Sequence, residues 1–385
     1  MASGSAYIIS ARRTALGRLG GLHRTRRVQD LAAPVIAACL KESGLSPVRI
    51  GRLIVGNASE TGNPARLIGL TAGLPDQLAA YTLDQQCASG LAAILDGGRL
   101  VATGEAEAII AGGAEAISMA PWHVTKPRSM HQTPRFIGLS AHSDEGAEQG
   151  SGIEADEALA RRLGISREQQ DDFALRAHLK SGIAAEARLL PKEIVALKAT
   201  AEEGRDQSAV EPELQDLQEM PALLGDGTLT SGNTSALHDG AAFAVIVSEA
   251  LWTELGKPPA LKLVQSATVG MAAQEMAEAP IVAMQRLMAR AGGPAAKDLD
   301  AVEMSETSAV QAIALRNALG LADEAINADG GAIARGHPLG AAGAVLVARL
   351  FTRLVRAPGA TPSRLGATVL GARGGIGIAA LFAST

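Results

Sequence analysis

Two residues in this chain combine a reactive side chain with a setting that could activate it. Cys87 ends the run YTLDQQC and is followed by ASGLAAILDGG, so it falls at an expected junction between a strand and a helix. At a helix N-terminus the macrodipole and unpaired N–H groups favour thiolate over thiol, and thiolate is the nucleophile. A lone cysteine is more often a small buried hydrophobe, which is how Cys39, within an apolar helical stretch, is read. His337 stands in GGAIARGHPLGAAGA, where glycines on both sides allow positive φ and let a substrate approach the backbone. An imidazole so placed can take a thiol proton or donate to a developing oxyanion. A further glycine-rich run, GARGGIG at 371–377, looks like a nucleotide loop, but an apolar strand-like run follows it where a phosphate cradle needs a helix.

These residues must be positioned by alternating strands and helices. AYIIS at 6–10 reads as a buried strand, 28–44 as a helix ended by glycine, and RLIVGN as a strand ending at Asn57. SGLAAILDGGRLVATG reads as a helix and AEAIIAGGAEAIS as a strand, giving the alternation of βαβ crossovers in a mainly parallel sheet. Between 121 and 154 prolines, histidines and serines break the periodicity, which marks an inserted loop region. A helix follows, opened by the capping-box pair Ser166 and Gln169, and the strand pattern resumes in HDGAAFAVIVSE at 238–249.

A weak internal repeat organises the whole. RLIVGNASETG parallels LDAVEMSETSA, YTLDQQCASGLAAI parallels AINADGGAIARGHPLGAAGAVLV, and AEAIIAGGAEAIS parallels RLGATVLGARGGIGIAAL. The expected division is a first half, 1–120 plus 238–263, an inserted loop and helical region, 121–237, and a second half, 264–385. Two such halves packed together bring corresponding loops to one joint, where one half supplies a nucleophile and the other its activators.

Composition narrows the class. A chain of 385 residues has room for two cores, and 47% hydrophobic but only 2% aromatic residues, with 43 glycines, imply closely packed small aliphatic side chains in an α/β fold. A net charge of −5 with no basic run argues against a nucleic-acid partner. The two cysteines lack CxxC or metal-ligand spacing, so neither a disulfide framework nor a metal site is expected. No signal-like or membrane-length apolar run occurs, so no membrane association and a cytoplasmic location are expected.

Motifs along nearly the whole length resemble those of the thiolases, the acetyl-CoA C-acyltransferases. RTALGRLGG at 13–21, GNPARLIGLTAGLP at 62–75, QCASGLAAI at 86–94, GGAEAISMAP at 112–121, SREQQDDFA at 166–174, GNTSALHDGAA at 232–242, ATVGM at 267–271 and GGAIARGHPLGAAGA at 330–344 fall in that family's order. The resemblance implies duplicated βαβ halves in a layered α-β-α-β-α arrangement. It also implies an enzyme that carries an acyl group on Cys87 and activates it with His337. Acyl-CoA or 3-ketoacyl-CoA would be the substrate, for thiolysis or Claisen condensation, with coenzyme A as substrate or product and no permanently bound cofactor. A homodimer or homotetramer is implied as well.

The chain departs from the family pattern at the groups that serve carbon chemistry. Where thiolases usually carry an N-E-x-F-like loop whose asparagine holds a water, this sequence reads Ser305, Glu306, Thr307 and Ser308. Where a second cysteine supplies acid/base catalysis, it reads Gly371, Ala372 and Arg373. Gly150 and Ser151 stand where a histidine and a methionine often line the acyl pocket, and His238 replaces an asparagine, which we read as structural. Backbone N–H groups of Cys87 and Arg373 are left as an oxyanion hole, and Ser305, Glu306 or a bound water as acid/base candidates. The expectation is intact acylation of Cys87 with slow carbon–carbon chemistry. Two other readings stay open: transfer of the acyl group to a heteroatom acceptor or water, and a non-catalytic subunit that binds CoA esters.

Overall fold

The computed structural model describes residues 4–127, 129–137, 152–187, 190–198, 200–290 and 292–385. The predicted strands and helices are present with small shifts at their ends, but the sheet expected to be mainly parallel is mainly antiparallel, because the strands Ala6–Arg13, His238–Ser248, Leu261–Gly270 and Ile376–Ser384 pair antiparallel with their neighbours. The strand Ala6–Arg13 is almost wholly buried, as a strand covered on both faces of its sheet must be. The helix Val28–Ser43 stops at Gly44, which takes the left-handed conformation at φ 69° that costs glycine no Cβ clash. At the helix Arg167–Glu186, Ser166 Oγ accepts from the Gln169 N–H at 3.2 Å while the Ser166 N–H donates to Gln169 Oε1 at 2.9 Å. After Pro338, Leu339–Ala341 make a tight 3₁₀ turn, and the α-helix Ala342–Phe351 follows.

The repeat in the sequence becomes a repeat in topology. In the first half the strands Ala6–Arg13, Arg52–Gly56, Ala79–Leu83, Ala108–Glu115 and His238–Ser248 lie in the spatial order third, second, fourth, fifth, first. In the second half Leu261–Gly270, Ala301–Met304, Leu365–Ala372 and Ile376–Ser384 take the first, second, fourth and fifth places of the same order. Its third place is a parallel bridge of Ile326 to Val302. The two first strands meet only at Tyr7 with Lys262 and Ile8 with Leu261, joining the halves antiparallel. Leu261–Gly270 pairs along its length with Ile376–Ser384, so the expected division between 263 and 264 cuts a strand of the second half.

Three hydrophobic clusters define the layers. One joins Leu91 and Leu95 of the helix Ser89–Ala102 and Leu346 and Leu350 of Ala342–Phe351 to Ile109 and Leu370 of the two sheets. A second covers the far face of the first sheet with the helix Val28–Ser43, and a third covers the second sheet with Ala279–Met288 and Ala309–Leu319. Neighbours along a strand alternate between clusters, Ile109 facing the central helices and Ile110 the outer one. The fold is therefore α/β with five layers, helices outside, between and outside two sheets.

Candidate active site

Cys87 is carried on a sharp bend between Ala79–Leu83 and Ser89–Ala102. Gln86, just before it, holds φ 54°, an uncommon conformation for a non-glycine residue and one that turns the thiol off the end of the strand. Ser89 braces the bend, accepting from the Gln85 N–H at 2.8 Å and donating to the Gln86 carbonyl at 2.6 Å. The thiol is only 6% exposed.

His337 arrives from the second half. Its Nε2 lies 3.0 Å from Cys87 Sγ, and its Nδ1 lies 3.1 Å from Ser305 Oγ. For Nε2 to accept the thiol proton, Nδ1 must carry the hydrogen and donate it to Ser305. The loop is pinned by its own backbone, the His337 N–H donating to the Ala236 carbonyl at 3.0 Å and the His238 N–H to the His337 carbonyl at 3.1 Å. His238 packs on Gly336, where an added Cβ would come within 2.2 Å of its ring. Its Nδ1 donates to the Ala236 carbonyl at 2.9 Å and its Nε2 lies 2.7 Å from Ser208 Oγ, so both ring nitrogens are taken up locally.

The halves are clasped beside this pair by Glu115. Its carboxyl accepts from Asn57 Nδ2 at 2.9 Å, the Ala58 N–H at 3.0 Å and, across the joint, the Gly340 N–H at 2.9 Å, and it also meets the Ser59 hydroxyl. Burial pushes this carboxyl up to about 7 against those donors.

Burial also reverses the expected activation of Cys87. It raises the thiol to about 11, against the opposing pull of Arg373 and of the Cys87 and Arg373 N–H groups that face the sulfur. The same burial lowers His337 to about 4, with His238 and Arg373 acting in the same direction. In a dry site two neutral partners are favoured over thiolate and imidazolium, so the resting pair is thiol and neutral imidazole. The N–H groups of Cys87 and Arg373 act on the sulfur in the direction that favours negative charge there.

A cavity of about 260 Å³ opens in front of the pair, lined by Cys87, His337, Asp156, Gly371 and Arg373 among others. Ser305 does not line it and lies behind the imidazole instead. Glu306 is turned away as well, accepting from Asn327 Nδ2 at 2.5 Å and the Ile333 N–H at 3.2 Å. Thr307 does reach the cavity, while Gly371 leaves it without a side chain. Gly150 and Ser151 lie outside the described residues. Asp156, on the helix Gly152–Leu163, is 4% exposed and its Oδ1 accepts from Gln311 Nε2 at 2.8 Å. Sequence reasoning passed it over, since an acidic residue in a stretch such as ADEALARR reads as a solvated helix face. Among the described residues no group of three or more His, Cys, Asp or Glu could hold a metal, and no helix is long and apolar enough to cross a membrane.

Family models described as Thiolase, N-terminal domain, and Thiolase, C-terminal domain, match residues 6–250 and 257–384. The acetyl-CoA acetyltransferase of Rhizobium meliloti (strain 1021) is 35% identical over 372 residues, covering 92% of this chain and 94% of that protein. The protein of the same name from Shinella zoogloeoides is 34% identical over 389 residues, covering 97% of each. The crystal structure of the Bacillus anthracis acetyl-CoA acetyltransferase matches with a TM-score of 0.91 at 29% identity and covers 100% of both chains.

Proposed function

This chain belongs to the thiolase family and is an acyltransferase of that family, and from that premise we propose that it works through an acyl group carried on Cys87, with acyl-CoA and 3-ketoacyl-CoA as substrates. The observation that carries the reading is the 3.0 Å contact between Cys87 Sγ and His337 Nε2 at the floor of a cavity. In this mechanism the sulfur attacks the thioester carbonyl as its proton moves to Nε2. The N–H groups of Cys87 and Arg373 receive the oxyanion. Collapse expels the CoA thiolate, which takes the proton back from His337. Coenzyme A thus enters and leaves as a reactant. The same reading requires Cys87 to stay a free thiol, as it is in the structure, which a reducing cytoplasmic setting preserves. It also takes the two-half repeat as one catalytic unit, assembled as a homodimer or homotetramer.

Incubation with acetyl-CoA is expected to add one acetyl group at Cys87, seen by mass spectrometry of the digested protein. Cys87→Ala should remain folded and unlabelled. Labelling of that variant at the same site would overturn the assignment.

A further inference from the structure

Breaking or making a carbon–carbon bond requires a proton to be delivered to, or taken from, the α-carbon, and Gly371 has no group to do it. The same cavity offers another. Asp156 borders it together with Cys87, His337 and Gly371. Its Oδ1 is fixed by Gln311 Nε2 at 2.8 Å, and Ser308, the N-cap of the helix Ala309–Leu319, acts on the carboxyl in the direction that favours its charged form. Gln311 Oε1 is buried without a partner and lies 3.8 Å from the place a Cβ of residue 371 would occupy. Gln311, on the neighbouring helix Ala309–Leu319, therefore links Asp156 to the part of the cavity that residue 371 faces. Asp156 makes no ion pair among the described residues, which leaves burial to decide its charge and raises it to about 6 despite Gln311 and Ser308.

Resting on the reading of Cys87 as acyl carrier, we propose that Asp156 is the acid/base residue of the carbon step, replacing the thiol that Gly371 lacks. In thiolysis the Cys87 sulfur adds to the 3-keto carbon as its proton passes to His337 Nε2, which returns it when Cys87 is later displaced, and the bond between C2 and C3 breaks with its electron pair passing to C2. Protonated Asp156 gives its proton to C2, releasing acetyl-CoA and leaving a carboxylate. That carboxylate then takes the proton of the incoming CoA thiol, whose sulfur displaces Cys87, and the carboxylic acid is restored. Condensation runs the same transfers backwards.

Among the described residues the charged groups around Asp156 are few. Glu157 follows it on its own helix, and its carboxylate is bound by the Thr228 and Leu229 N–H groups at 2.6 and 2.7 Å. From the helix Ala309–Leu319 and its N-cap, the groups that act on it among the described residues are the uncharged Gln311 and Ser308. On the packed segment Ala273–Glu278, Glu275 is exposed and Glu278 pairs with Arg162 at 2.5 Å. Across the cavity stand Cys87, His337 and Arg373.

The test uses acetoacetyl-CoA, CoA and acetyl-CoA with the full chain. Asp156→Asn is expected to lower thiolysis on the order of 10² to 10⁴-fold. It should equally lower deuterium uptake from D₂O into the α-carbon of acetyl-CoA, followed by NMR, while acyl-Cys87 still accumulates. In the wild type, kcat/KM for acetoacetyl-CoA should fall and kcat/KM for CoA should rise as pH passes about 6, and Asp156→Asn should lose both limbs. Adding Gly371→Cys to Asp156→Asn should recover thiolysis with a more alkaline profile; the new Cβ meets Pro280 Cδ at 3.1 Å, which a small shift of the ring relieves. Unchanged thiolysis and exchange in Asp156→Asn would overturn the proposal, as would a wild type that acylates Cys87 without exchanging the α-proton. Absence of acyl-Cys87 in the wild type would instead overturn the underlying reading.

Discussion

Cys87, His337 and Ser305 form a chain of contacts in which each member settles the state of the next. Buried at about 11, the thiol cannot ionise unaided at neutral pH, and His337 at about 4 is neutral there and free to accept. His337→Ala is therefore expected to slow alkylation of Cys87 by iodoacetamide between pH 6 and 9, by roughly 10² to 10⁴-fold, the usual worth of a positioned base. Ser305→Ala removes one hydrogen bond to Nδ1 and leaves the base in place, so its effect should be about tenfold or less. Equal losses in the two variants would contradict this division of roles. Ser305 was expected in place of a water-holding asparagine; its contact with the rear of the imidazole, away from the cavity, supports a positioning role, which the variant pair tests.

The loops that carry these residues come from separate elements and are held together by close backbone packing. Gly340 illustrates the tolerance: an added Cβ would lie 2.7 Å from Asn57 Cα and 2.8 Å from Glu115 Oε2. Gly113 on the neighbouring strand is as tight, since a Cβ there would come within 2.3 Å of the Gly340 carbonyl oxygen. Gly340→Ala should consequently force the second-half loop away from the first, costing about 1–3 kcal/mol of stability. Acylation of Cys87 should fall with it, because the same loop carries His337. A variant with wild-type urea midpoint and wild-type acylation would show that the clasp is dispensable.

Across the whole molecule a buried ion network ties the first half to the inserted region and to the second half. Arg13 on the first strand donates from Nη1 and Nη2 to Asp206 at 2.6 and 2.9 Å and from Nε to Glu193 at 2.9 Å. Arg349, on a central helix of the second half, brings Nη1 to 2.6 Å from Glu193, a charge contact rather than an aligned hydrogen bond, and donates from Nη2 to Asp329 at 2.5 Å. Removing one partner strands the others, so Arg13→Leu is expected to cost about 3–5 kcal/mol in urea unfolding. Burial alone would raise Glu193, but Arg349 and Arg13 outweigh it and hold the carboxyl at about 2. With the unfolded value near 4.5, the stabilisation is complete above that pH and is lost as pH falls towards 2, which an acid titration of stability would reveal.

What the amino-acid sequence determined by itself is what local pattern controls. The strand and helix order, the stop at Gly44 and the Ser166 cap follow from periodicity and caps within short windows, and motifs in equally short windows are what single out Cys87 and His337 for the proposed chemistry. Tertiary structure alone decided the matters that depend on which distant atoms meet. It moved the first strand of the second half across the expected boundary, because sheet partners rather than local sequence define that strand. It turned Glu306 into a brace for Asn327, which no spacing announces. Burial in the joint raises the thiol of Cys87, where position before a helix suggested the opposite. For the same reason Asp156, which looks like a solvated helix residue in one dimension, is a buried carboxyl facing the cavity, since burial is a property of packing.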